Sequence, residues 1–159
     1  MTAIVQTFIE HLIQASPLAL LGGRRVLHTP PHSRGVAGSH GRRIAGLLQL
    51  KYVAIENLSE FLGESTPKLM QVIHVNERTA QRRREQGVLS PEESDRIARI
   101  ARVTQRAIEA FGDENQAREW LKRPNRVLQD VPPLELLGTD GGAVLVADEL
   151  GRIESGDLY

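Results

Sequence analysis

An all-α fold is what the chain predicts, and three observations predict it. Apolar residues recur at three-to-four spacing through most of the 159 residues, the period of one helix face. Capping hydroxyls and amides precede these segments and glycines follow them, in the order that starts and stops helices. No segment alternates apolar and polar residues well enough to mark a sheet; only Ala143 to Val146 reads either as helix or as a short strand.

Taken from the start, Ile4, Val5, Phe8, Ile9, Leu12 and Ile13 give Met1 to Ala15 one apolar face, to be buried in an intramolecular core or a dimer interface. Residues 22–41 mix Gly22, Gly23, Pro30, Pro31, Gly35, Gly38 and Gly41 with Arg and His, a composition that holds no long helix or strand. From about Arg42 to Leu62 the helical spacing returns in Ile44, Leu47, Leu48, Tyr52, Ile55, Leu58, Phe61 and Leu62, with Gly63 as the stop. Ser65-Thr66-Pro67 opens a short helix through Val72 and Ile73, and Asn76 caps another that runs to about Gln86 and ends at Gly87.

Ser90-Pro91-Glu92-Glu93 is a capping box with proline in the first turn. The helix it starts carries Ile97, Ile100, Ala101, Ile108 and Phe111 on one face and stops at Gly112. Asp113 with Gln116 starts a further helix holding Ala117, Trp120 and Leu121, which must end before Pro124. Trp120 reads as a core anchor sooner than as a contact, and Leu121 and Leu128 as core. After Pro132-Pro133 a single turn holds Leu134, Leu136 and Leu137, and from about Gly142 a last helix holds Val144, Ala147 and Leu150. Three regions result: residues 1–43, an N-terminal helix and basic loop; 44–110; and 111–159.

The formal net charge is zero, but its distribution is uneven. Residues 1–43 carry five Arg against Glu10, and residues 128–159 carry seven acids against Arg152. One end suits phosphates and the other a basic surface. No cysteine is present, which excludes disulfides, thiolate metal sites and a cysteine nucleophile and fits a reducing cytoplasm. No apolar run is long enough to span a membrane. The five His, at 11, 28, 32, 40 and 74, have no acidic companion suited to a metal or catalytic site, and no phosphate-binding loop or hydrolase motif occurs. Neither enzymatic activity nor a cofactor is expected.

Two short helices joined by a tight turn, the second rich in Arg, suit a major groove: the first braces on the backbone, the second presents side chains to base edges. Lys68 to Val75 is the bracing segment and Asn76 to Gln86 the reading helix of this helix-turn-helix. Its DNA-binding candidates are Asn76, Arg78, Thr79, Gln81, Arg82, Arg83 and Arg84. Arg can fork onto guanine and Gln onto adenine, while Arg78 or Arg84 can equally hold phosphate. His74 occupies the turn position where glycine is frequent, and is strained there if its φ is positive. Arg96, Arg99, Arg102 and Arg106 form a second basic row, either a solvated face balanced by Glu92, Glu93 and Asp95 or a set of phosphate contacts. Two half-sites need two reading heads, so a homodimer on operator double-stranded DNA is expected.

From Phe111 onward the chain resembles the toxin-binding domain of the Xre/MbcA/ParS antitoxins. The resemblance is carried by Ala110-Phe111-Gly112-Asp113, Trp120-Leu121, Pro124-Asn125, Leu128, Pro133-Leu134, Leu136-Leu137, Thr139, Gly142, Val146, Leu150, Arg152-Ile153 and Gly156. Upstream, Leu21-Gly22-Gly23, Arg78-Thr79, Arg82-Arg83, Gly87, Leu89-Ser90, Glu92-Glu93-Ser94 and Arg96 extend it. Residues 24–43 fit poorly, and Gln129-Asp130 stands where the family pattern often has glycine after the leucine.

The resemblance implies an antitoxin with an Xre-like helix-turn-helix and a small helical toxin-binding domain. Its implied partner is a RES-domain toxin that consumes NAD, with the antitoxin's C-terminal segment occluding the toxin's NAD pocket. The acidic C-terminal segment suits a pocket built for a pyrophosphate. The toxin-binding candidates are Arg152, Glu154, Ser155, Gly156, Asp157 and Tyr159: Glu154, Asp157 and the terminal carboxylate to mimic phosphate, Arg152 to pair an acid in the pocket, Tyr159 to stack as a base does. Removing residues 148–159 is then expected to abolish neutralisation and spare operator binding. The alternative is a stand-alone helix-turn-helix transcriptional regulator without a toxin partner.

Overall fold

The computed structural model describes residues 49–156. The expected helix over Met1 to Ala15, the loop over 22–41, the segment 42–48, and Asp157 and Tyr159 lie outside the described residues. Within them seven α-helices and one 3-10 turn follow in order: α1 Val53–Leu62, α2 Thr66–Val72, α3 Glu77–Gln86, α4 Pro91–Phe111, α5 Glu114–Lys122, the turn Arg126–Leu128, α6 Pro133–Leu136 and α7 Asp140–Ser155. Among the described residues there is no strand, only two isolated antiparallel bridges, Lys51 with Val88 and Asn125 with Val131. The all-α expectation holds, and none of these helices is long and apolar enough to cross a membrane.

Local chemistry sets most boundaries. Ser65, Asn76, Ser90, Asp113 and Thr139 each accept a hydrogen bond at a helix start from the amide three residues on, a device worth about 1 kcal/mol per helix. At Ser90 the box is reciprocal: the Glu93 amide donates to Ser90 Oγ at 3.2 Å and the Ser90 amide to Glu93 Oε2 at 2.6 Å. Gly63, Gly87, Gly112 and Gly156 close α1, α3, α4 and α7 in the left-handed conformation.

Three boundaries differ from expectation. The helix ending at Leu62 begins at Val53, because residues 49–51 are drawn off into pairing with the segment after α3. The Leu89 amide donates to the Leu50 carbonyl at 2.9 Å, and the Leu50 amide donates to Ser94 Oγ, also at 2.9 Å. The bracing helix stops at Val72, short of Val75, where the chain turns through Ile73 and His74. The last helix begins at Asp140, capped by Thr139, so Ala143 to Val146 is helical. Its buried face is Gly142, Val146, Glu149 and Leu150, with Val144 turned outward.

One core runs through the described residues. Ile55, Leu58, Leu62, Leu69, Ile73, Leu89, Ile97 and Ile100 fill it on the side of α1 to α3, and Ala107, Ala117, Leu121, Leu128, Leu134, Leu137, Val146 and Leu150 on the side of α5 to α7. Leu121 and Leu128 are buried as expected, whereas Trp120 is only half-buried and packs on Phe111 with ring centroids 5.6 Å apart. The boundary expected at 110–111 falls at the end of α4, yet this helix also packs along α5 and α7 and so serves both halves.

Candidate functional site

The helix-turn-helix consists of α2, a turn over residues 73–76, and α3. At its corner the His74 amide donates to the Gln71 carbonyl and the Val75 amide to the Met70 carbonyl, at 2.9 and 2.8 Å. His74 has φ 59, so the positive-φ condition named for it is met. Lys68 on α2 donates to Glu135 on α6 at 2.7 Å, and that hydrogen bond holds its ammonium above the ordinary value.

No residue of α3 is buried. Thr79, Ala80 and Arg83 are its partly buried positions, which puts Arg78, Gln81, Arg82 and Glu85 on the opposite side at 100° per residue. The predicted residues accordingly divide. Arg78, Gln81, Arg82 and Arg84 are exposed, and among the described residues no ion pair holds Arg78, Arg82 or Arg84. Gln81 Nε2 donates to Glu85 Oε1 at 2.9 Å. Asn76 caps the helix through Oδ1, which accepts from the Thr79 amide at 2.9 Å.

Arg83 has a different position. Its Nε donates to both carboxylate oxygens of Glu93, at 2.7 and 3.0 Å, and its Nη1 to Gln86 Oε1 at 3.2 Å. Glu93 is 6 % exposed. The guanidinium thus ties α3 to the capping box of α4 and does not face outward with Arg82.

The second basic row is neither a solvated face nor a free phosphate surface for three of its four members. Arg96 donates to the Ile73 carbonyl at 2.7 Å. Arg99 pairs with Asp95 at 3.3 Å and with Asp140, and Arg106 pairs with Glu154 at 3.2 Å. Only Arg102 of the four is exposed. At the start of α4 the carboxyl of Glu92 is held below its ordinary value by its own backbone amide and by the Ser90 hydroxyl. Just before α1, burial raises the phenol of Tyr52.

On α7 three of the predicted toxin-binding side chains are engaged within the molecule. Arg152 donates to Glu149 Oε2 from Nε and Nη2, at 2.9 and 2.5 Å. Glu154 accepts from Arg106 on α4. Ser155 Oγ donates to the Gly151 carbonyl at 2.9 Å, and Gly156 ends the helix at φ 74. Sequence reasoning missed another pair: Val144 and Leu145 are 59 % and 55 % exposed, and Asp140, Gly141 and Asp148 beside them are exposed too. The signal was present in Ala143-Val144-Leu145-Val146-Ala147, an apolar run wider than one buried helix face can absorb.

The chain is similar to known proteins over both of these regions. Residues 40–102 match the antitoxin Xre-like helix-turn-helix domain, and residues 106–156 match the antitoxin Xre/MbcA/ParS C-terminal toxin-binding domain. An Antitoxin Xre of Yersinia enterocolitica is 34% identical over 126 residues, covering 77% of this chain and 85% of that protein. The chain belongs to the Xre antitoxin family. Two further Xre antitoxins match over shorter stretches: that of Photorhabdus laumondii is 45% identical over 71 residues, 44% of this chain and 48% of that protein. That of Pseudomonas putida is 34% identical over 68 residues, 43% of each chain. The chain therefore aligns with less than half the length of these two relatives. The family is one of antitoxins, not enzymes. Its toxin-binding domain includes all of α7, and its helix-turn-helix domain includes α1 to α3.

Proposed function

We propose that this Xre-family protein is the antitoxin of a RES-domain toxin that consumes NAD, and that it represses its own operon by binding operator DNA as a homodimer. The observation that carries the reading is the exposed Val144 and Leu145 pair on α7, inside the segment matched as toxin-binding. Adjacent large apolar side chains left in water, with acids around them, suit a contact with another protein that has an apolar floor and a basic rim. A pocket that binds a dinucleotide pyrophosphate has such a rim. In this reading α7 docks first and presents Arg152, Glu154, Ser155, Gly156, Asp157 and Tyr159 toward the NAD site. Operator binding is assigned to Arg78, Gln81, Arg82 and Arg84, which share the outward side of α3 and its flank, with Asn76 at its N-terminal end; Thr79 and Arg83 lie on the inward side. The zero net charge of the chain is compatible with this division, because the cations and the acids serve different partners.

The test is an NAD-consumption assay on a RES-domain toxin encoded beside this gene, with the antitoxin titrated in. The wild-type protein is expected to stop NAD loss. Val144→Asp combined with Leu145→Asp is expected to raise the half-inhibitory concentration by about 30-fold or more, the effect of losing a central apolar contact, with unchanged helix content. Full inhibition by the double variant rejects α7 as the docking surface. No inhibition by the wild type rejects the NAD-toxin reading.

A further inference from the structure

The turn of the helix-turn-helix is braced from outside as well as by its own backbone hydrogen bonds. The Ile73 carbonyl, at the end of α2, accepts from Arg96 Nη1 at 2.7 Å. Beside it, the turn between α6 and α7 brings up Gly138 so closely that a Cβ there would lie 2.0 Å from the Val72 carbonyl oxygen and 3.0 Å from His74 Nε2. Arg99 fastens this second turn to α4, donating to the Leu137 carbonyl at 3.4 Å and to the Asp140 carboxylate. Between the two turns sits His74 with φ 59, a conformation a non-glycine residue keeps only where its surroundings over-determine it. The reading helix itself buries no residue fully and meets the core only through the partly buried Ala80, so this corner, the Arg83–Glu93 pair and Gly87 share in setting its direction.

We propose that Arg96 and Gly138 are positioning residues for DNA recognition: the toxin-binding domain forms the outer wall of the helix-turn-helix turn and sets the angle at which α3 is presented. The two sequence-defined domains are then one working unit for DNA binding. Neither residue need touch DNA, so altering either changes affinity without removing a cationic contact. The inference rests on the reading of α3 as a DNA-binding helix.

The test uses the full chain with Arg96→Gln, Arg96→Lys and Gly138→Ala. Two quantities are measured: affinity for a duplex taken from immediately upstream of the gene, as a function of salt, and amide hydrogen exchange in the free protein. Arg96→Gln is expected to weaken binding by about tenfold, the effect of losing a charged hydrogen bond at the corner, and Gly138→Ala by a similar factor because its Cβ must displace the Val72 carbonyl; in both the salt slope stays unchanged because no phosphate contact is lost. Arg96→Lys keeps a donor for the Ile73 carbonyl and is expected to recover most of the affinity. The Val75 and Thr79 amides are expected to exchange faster in the first two variants while those of Ala117 and Leu121 stay as in the wild type. If Gly138→Ala does not fold, Asp140→Asn, which weakens the hold of Arg99 on the Gly138 turn, takes its place beside Arg96→Gln. Affinity and corner exchange both within twofold of wild type in Arg96→Gln overturn the proposal. If the wild type binds no duplex while the corner amides still quicken, the DNA-binding reading fails and the joint itself is supported.

Discussion

Arg82 and Arg83 are adjacent and chemically identical, and the fold gives them opposite work. Arg82 is exposed on the outward side of α3, while Arg83 is folded back onto the nearly buried carboxylate of Glu93. Arg82→Ala is expected to lower the salt slope of operator binding by about one and to leave stability within about 0.5 kcal/mol. Arg83→Ala strands Glu93 and is expected to reduce unfolding free energy by about 1–3 kcal/mol; denaturant unfolding measures it. Equal stability of the two variants would show that the Glu93 pair contributes nothing. The caps Asn76, Ser90 and Asp113 were legible residue by residue because their hydrogen bonds span only three positions. The role of Arg83 was not, because its partner lies ten residues on, across Gly87 and in the next helix.

At the scale of the element, two turns show what a missing glycine means. Gln129 and Asp130 stand where the family pattern often has glycine after Leu128, and both are left-handed, with φ 60 and 59. The turn is therefore kept and the strain accepted, with the Asp130 amide donating to the Asn125 carbonyl at 2.9 Å. Gln129→Gly relieves a left-handed side chain and is expected to raise stability by about 0.5–1 kcal/mol, read from denaturant unfolding. A destabilised variant would mean that the Gln129 side chain contributes more than its backbone costs. The last helix gives the opposite case, where glycine is required by packing and not by φ. A Cβ on Gly142 would meet the Leu136 carbonyl oxygen at 2.0 Å, so α6 can lie directly against the first turn of α7. Sequence spacing found that helix but began it near Gly142 in place of Asp140 and misplaced Val144, because three neighbouring apolar residues compete for a face that admits Val146.

Across the whole molecule, α4 makes one body of two sequence-defined domains. Arg96 reaches the helix-turn-helix corner from it, Arg99 the start of α7, and Arg106 the end of α7. Arg118 on α5 adds a link to α1, donating to the Phe61 carbonyl at 3.1 Å with its guanidinium 5.3 Å from the centre of the Phe61 ring. The expectation that residues 148–159 can be removed without harm to operator binding is therefore revised. That cut takes away Leu150, which is fully buried, and Glu149, which is nearly so. It is expected to lower unfolding free energy by more than about 3 kcal/mol, whereas a cut after Gly156 keeps all of α7 and reads the contribution of residues 157–159. Unfolding of both truncations at the wild-type midpoint would remove α7 from the core. By itself the sequence determined the helical class, the order of the described helices, the caps at Ser65, Asn76, Ser90 and Asp113, and the family, since each rests on local periodicity or on short ordered motifs. Only the tertiary structure decided which arginines are free, which apolar residues of α7 meet water and that the two domains share one helix. Those outcomes depend on pairs of groups far apart in the chain, and a helix period states that a face is buried without stating against what.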